Sequence, residues 1–109
     1  MKYFTIKQGK ESRVIQIDAL SAVEVEDYIC EFHIINEPSI YSVQSLREIL
    51  LVLPDHFVKV SRNRIVNMLH VKSIDYNIRK LTLSCGKFFF FSVRNIKVLK
   101  SIFDRYPKF

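Results

Sequence analysis

The chain has 109 residues, 49% hydrophobic content with five Tyr and nine Phe, and a formal net charge of +6. That length fills one core and not two, so a single domain spanning 1–109 is expected. Two cysteines without CxxC spacing exclude a disulfide framework and fit a reducing compartment.

The charge is polarised. Residues 1–55 hold five Lys/Arg against nine Asp/Glu, and residues 56–109 hold twelve against two. Sign asymmetry of this kind points to a polyanion, either nucleic acid or an anionic membrane. The membrane is the weaker reading, because no apolar run is long enough to span a bilayer, no signal-peptide pattern exists and the basic residues do not follow one long amphipathic helix. A soluble, cytoplasmic protein is expected.

In chain order, Tyr3 to Ile6, Arg13 to Ile17, Ala22 to Val25, Cys30 to Ile35 and Ser39 to Ser42 read as short strands, rich in β-branched and aromatic residues. Gly9-Lys10 and Asn36-Glu37-Pro38 are the clearest turns between them. Ser45-Leu46-Arg47-Glu48 is a capping box that opens a short helix, with Leu46, Ile49, Leu50 and Leu53 as its apolar stripe and Pro54 as its stop. Phe57, Val58 and Val60 form a strand whose register breaks at four polar residues, Ser61 to Arg64, before Ile65 and Val66 return to the core. Val71 to Ile74, Leu81 to Ser84 and Lys87 to Ser92 are further strands. Four successive Phe side chains, Phe88 to Phe91, must point to both sides of the last one, so that strand is expected to be covered on both faces. From Val93 to Phe103 the apolar residues Val93, Ile96, Leu99, Ile102 and Phe103 recur at helical spacing. Arg94, Lys97 and Lys100 lie on another side, with no acidic residue between Asp75 and Asp104 to balance them.

A catalytic site is not expected. His33, His56 and His70 sit in three elements without metal-ligand spacing, and two glycines cannot build a phosphate loop or a nucleophile elbow. Cys30 and His33 are three apart, which in a strand sends them to opposite faces. Asp27 with Glu24 or Glu26 is a weak candidate for paired carboxylates, better read as a soluble loop border. No metal or cofactor is called for. Asn67 fits a structural amide that satisfies backbone groups at a turn, and His33 and His70 read as core or strand-edge histidines.

The segments FVKVSRNRIVNMLHVKSID and LTLSCGKFFFFSVRNIKVLK together resemble the LytTR-type DNA-binding domain of bacterial response regulators. That family's pattern is roughly F-x-R-x-H-R-S-x-I-V-N-x-x-x-I-x-x-I, then a strand pair and a terminal S-x-R. VEVEDYICEFHI resembles its acidic-aromatic loop segment and SLREIL its short helix, so the likeness covers residues 12–103. It implies a mostly β fold, elongated, with about ten short strands in small antiparallel sheets and one or two short helices. It also implies loops, rather than a recognition helix, that enter successive major grooves of double-stranded DNA in a transcriptional regulator of a two-component system.

On that resemblance the loop from Asp27 to Cys30 is the first reading loop, with Tyr28 or Cys30 nearest its tip. Arg62 and Arg94 are the arginines that read bases, while Lys59, Asn63, Arg64, Asn95 and Lys97 are backbone contacts. Ser61 stands where the family usually has His, and Asn63 where it usually has Ser, so the particular bases do not transfer. A receiver or other regulatory domain would lie outside this sequence, and a dimer on DNA is compatible with it. Two other readings stay open: a protein-interaction module whose basic face meets an acidic partner, and single-stranded nucleic acid binding, which the apparent burial of Phe88 to Phe91 weakens.

Overall fold

The computed structural model describes residues 2–106. Ten strands form three antiparallel sheets, as the resemblance implies, and the molecule measures 43 × 30 × 24 Å along its principal axes. Strands β1 (Tyr3–Gln8) and β2 (Glu11–Gln16) make a hairpin around Gly9, whose φ of +58° suits a tight turn without a side chain to clash. Strands β3 (Leu20–Glu26), β4 (Ile29–Ile34), β5 (Ile40–Val43), β6 (Phe57–Ser61) and β7 (Arg64–Asn67) form a five-stranded sheet in the order β5-β4-β3-β7-β6. Strands β8 (Val71–Asp75), β9 (Lys80–Leu83) and β10 (Phe88–Phe90) form the third sheet, with β10 at one edge.

Alternation along the strands of the five-stranded sheet gives the chain two buried clusters, one on each face, where its length alone suggested a single core. Val23, Cys30, Phe32, Ile34, Ile40 and Ile65 project to one side. There they pack with Phe4, Ile6, Ile15 and Ile17 of the first hairpin and with Ile49 and Leu53 of helix α1 (Leu46–Val52). The Phe4 and Phe32 rings lie 5.8 Å apart, and full burial of a side chain such as Phe32 contributes roughly 1.5–3 kcal/mol. On the other side Ala22, Val60 and Val66 pack under Met68, Val71, Leu81, Leu83, Phe89 and Phe91, joined by Leu99 and Ile102 of helix α2 (Ile96–Ile102).

The capping box forms as expected: Ser45 Oγ accepts from Glu48 N at 3.1 Å and donates to Glu48 Oε1 at 3.0 Å. Asn67 is fully buried and structural, its amide donating to Leu20 O at 3.0 Å and its carbonyl accepting from Leu69 N at 2.9 Å. His33 and His70 are both buried. No helix is long and apolar enough to cross a membrane among the described residues.

Three expectations need correction. Phe88 to Phe91 are not covered on both faces: Phe89 and Phe91 are buried, while Phe88 and Phe90 are 50% and 54% exposed. The three-stranded sheet packs on the core through one face, so alternation buries Phe89 and leaves Phe88 and Phe90 on the solvent side. The stretch after Phe91 is not one continuous helix either. A 3₁₀ turn at Val93–Asn95 precedes α2, which shifts the helical phase and leaves Val93 63% exposed instead of in the apolar stripe. Finally, Cys30 is not near a loop tip. Its side chain is wholly buried and its thiol donates to Gln44 O at 2.9 Å, because two residues, Asp27 and Tyr28, complete the turn and alternation then sends Cys30 inward.

Candidate nucleic-acid interface

The site is built from three loops held side by side. The first joins β3 to β4 through Asp27 and Tyr28, both at positive φ (49° and 67°), the pair of left-handed residues that a two-residue hairpin turn matching the strand twist requires. Tyr28 is 85% exposed at the tip. The second joins β6 to β7, where Ser61 pairs with Arg64 around the two-residue turn Arg62-Asn63, and an irregularity between Lys59 and Ser61 accounts for the broken register. Both Arg62 and Asn63 are exposed. The third is the segment from Ser92 to Asn95, which carries Arg94 out into solvent ahead of α2.

Backbone and amide bonds tie the three together. Val25 N donates to Asn63 O at 2.9 Å, which fixes the second tip against the first hairpin. Asn95 Nδ2 donates to Val60 O at 2.7 Å and to Ser92 Oγ at 2.8 Å, and Asn95 N donates to Ser92 O at 3.0 Å, so the third segment is stapled to β6. An open cleft results, lined by Lys59, Ser61, Arg62, Ser92, Val93, Arg94 and Asn95. A second concavity beside it is lined by Glu24, Glu26, Asp27, Glu31, Asn63 and Arg64 among others.

Arg62 and Arg94, 32 residues apart in sequence, thus share one cleft with Lys59. Lys97 lies exposed on the first turn of α2. Arg64 is placed differently. Its Nε donates to Glu24 Oε1 at 2.7 Å and its guanidinium carbon sits 5.5 Å from the centre of the Phe89 ring, so it braces the root of the second loop. Asn95 is likewise committed to holding the backbone. Lys100, on the basic side of α2, has its Nζ 5.2 Å from the Tyr76 ring centre.

Glu24 joins two strands at once, accepting from Arg64 on one carboxylate oxygen while His33 Nε2 lies 2.8 Å from the other. Burial pushes its carboxyl pKa up, but the bonds from Arg64 and His33 outweigh that and hold it below the usual value. Glu24, Glu31 and His33 have donor atoms close enough together to surround a metal ion, the one such group among the described residues. Glu24 is already neutralised by Arg64, which makes the cluster an ion-pair network first. Burial raises the Cys30 thiol pKa, the reverse of what a reactive thiolate needs.

Val93 was not among the residues expected at the site. Its exposed side chain lines the cleft between the two arginines' loops, and the only sequence signal for it was its place as the middle residue of the S-x-R motif.

Residues 10–104 match the LytTr DNA-binding domain. The chain belongs to that family. No curated protein matches it. Among solved structures, it is similar to the LytTr DNA-binding domain of a Bacillus cereus protein assigned as a methyl-accepting/DNA response regulator. The TM-score is 0.79 at 21% identity, covering 94% of this chain and 96% of that one. At that identity the likeness establishes the LytTr fold. The family is one of DNA-binding domains rather than of enzymes.

Proposed function

We propose that this LytTr domain binds double-stranded DNA sequence-specifically for a transcriptional regulator of the response-regulator type, reading the major groove with loops instead of a helix. One observation carries the reading: three exposed loops are tied together near their bases, by Val25 N to Asn63 O and Asn95 Nδ2 to Val60 O, and Arg62 and Arg94 line one cleft between them. A guanidinium offers two parallel donors to N7 and O6 of guanine, worth about 1–3 kcal/mol of discrimination, provided its loop is rigid. The Asn95 staple and the Val25–Asn63 bond supply that rigidity. Asp27 is suited to accept from the cytosine amino group, Tyr28 reaches furthest from the first loop, and Val93 offers an apolar contact for a thymine methyl.

Lys59, Asn63 and Lys97 are assigned to the phosphate backbone, where they orient the domain without reading sequence. Arg64 and Asn95 hold the loops in place. Cys30, buried, acts only through packing.

The experiment is a mobility-shift titration of the domain against duplex, with single-stranded DNA and heparin as competitors, over a range of salt. About five phosphate contacts give a log-log salt slope of roughly −4 to −5. Failure to bind any duplex at low salt, or a slope near zero, would overturn the reading in favour of a module that binds an acidic protein. Preference for the single strand would assign the basic half to unpaired nucleic acid.

A further inference from the structure

Two exposed apolar strips lie on the same side of the five-stranded sheet and carry opposite charge. Ile29 pairs with Val43, Glu31 with Tyr41 and Glu26 with Ile29, so these side chains share one face. It is the face on which His33 and Arg64 meet Phe89 of β10. The three-stranded sheet covers that part and the neighbouring Ala22, Val60 and Val66, but not the β4–β5 end of the face. There, Ile29 and Tyr41 remain 48% and 52% exposed in a recess bordered by Glu26 and Glu31, and Val43, 78% exposed, lies next to Ile29 on the edge strand outside it.

The second strip is β10, standing above that recess. Phe88 and Phe90 project away from the sheet beneath, their rings 5.8 Å apart and edge to face, with Lys80 Nζ 4.3 Å from the Phe88 ring centre and Lys87 exposed alongside. Among the described residues, strand β10 has a neighbour on one side only. The bonds Leu83 N to Lys87 O and Phe91 N to Arg79 O set an alternation in which the odd-numbered residues face β9. The backbone N–H and C=O groups of Phe88 and Phe90 therefore point along the free edge. Two half-exposed phenylalanines on an unpaired edge form the kind of surface that proteins cover with a partner.

We propose that the partner is a second copy of this chain, with β10 of each copy seated in the acidic recess of the other. Phe88 and Phe90 then meet Ile29, Tyr41 and Val43, while Lys80 and Lys87 face Glu26 and Glu31. The strips match in charge and in shape, a raised basic edge against a recessed acidic floor. Because both strips lie on the same side, a two-fold axis makes the contact twice and closes the assembly at a dimer.

The test is sedimentation of the whole chain without DNA, from micromolar concentration upwards. The wild type is expected to pass from monomer to dimer. Phe88→Ser/Phe90→Ser and Tyr41→Ser/Val43→Ser should each weaken association by about tenfold or more, because each removes one member of every contact. Each pair should lower the melting temperature only modestly, since the four side chains are half-exposed or more, and both variants should still unfold cooperatively. An equimolar mixture of the two variants should recover association in part, each keeping the strip the other lacks. The exchange Lys80→Glu in one copy with Glu31→Lys in the other should behave alike. A monomer at every concentration up to about 1 mM, the weak limit for a specific contact, would overturn the proposal, as would variants that associate like wild type or a mixture that recovers nothing. Loss of duplex affinity in Phe88→Ser/Phe90→Ser would assign the aromatic pair to nucleic acid instead.

Discussion

Asn95 donates its side-chain amide to the carbonyl of Val60, 2.7 Å away, and so ties the segment carrying Arg94 to the strand that leads into Arg62. The same nitrogen reaches Ser92 Oγ at 2.8 Å, and Ser92 N donates more weakly to the Val60 carbonyl at 3.4 Å. Asn95→Ala is expected to cost about 1–2 kcal/mol of stability by denaturant unfolding, because it leaves a half-buried carbonyl poorly paired. Duplex affinity should fall as well, although Asn95 itself need not touch DNA. Asn95→Asp keeps the size but loses both donors, and should do no better. Full affinity in both variants would show that the staple does not set the loop.

The Glu24–Arg64 pair makes stability depend on pH. The Glu24 carboxyl is held below its ordinary value in the folded state, so the unfolded chain takes up a proton first as pH falls. The pair's contribution is therefore full above the ordinary carboxylate range and lost as pH drops through the folded value. Glu24→Gln should lower stability at neutral pH by about 1 kcal/mol, a figure discounted because Arg64 is 39% exposed. It should also flatten the acid limb of the stability curve, measured by denaturant midpoints from about pH 3 to 7. An unchanged acid limb would show that other carboxylates carry it.

Tyr28 occupies a left-handed position that glycine adopts without strain. Tyr28→Gly should leave the melting temperature unchanged or slightly raised, since about 1 kcal/mol of relieved strain offsets a comparable gain in unfolded-chain entropy. If the aromatic is kept at the tip for recognition, binding to a preferred duplex should weaken with no loss of folding. A large fall in stability with recognition intact would reassign Tyr28 to packing.

Lys97→Ala should weaken all duplexes about equally and reduce the salt slope by about one unit, because a phosphate contact carries no sequence information. Titration of one preferred and one random duplex at several salt concentrations checks this. Lost discrimination with an unchanged slope would mean that α2 reads bases.

Features whose physics is local could be read in the sequence. The Ser45–Glu48 capping box, the Asn67 turn amide and the broken register at Ser61–Arg64 each follow from a few adjacent residues, and each is present. Features set by distant partners could not. Glu24 and Arg64 are 40 residues apart, and nothing near either one marks Arg64 as a brace rather than a free cation. Phe88 to Phe91 defeated periodicity because four identical side chains contain no alternation, and which pair faces the core depends on where the three-stranded sheet sits. Cys30 was misplaced because the exact turn residues set the phase of β4, and Val93 because a single 3₁₀ turn shifts the phase of the helix that follows. Of the candidate site, the arginines were legible from the family pattern. The bonds that bring them into one cleft appear only in the fold.

The central claim is that Arg62 and Arg94 read base edges from one rigid cleft, and the most direct measurement is a binding comparison of Arg62→Ala and Arg94→Ala on a preferred duplex varied one base pair at a time. Both side chains are exposed, so melting temperatures should match the wild type. Each variant should become indifferent to a different short segment of the site, losing about 1–3 kcal/mol of discrimination there and keeping it elsewhere. Wild-type specificity in both variants, with melting temperatures intact, would contradict the account.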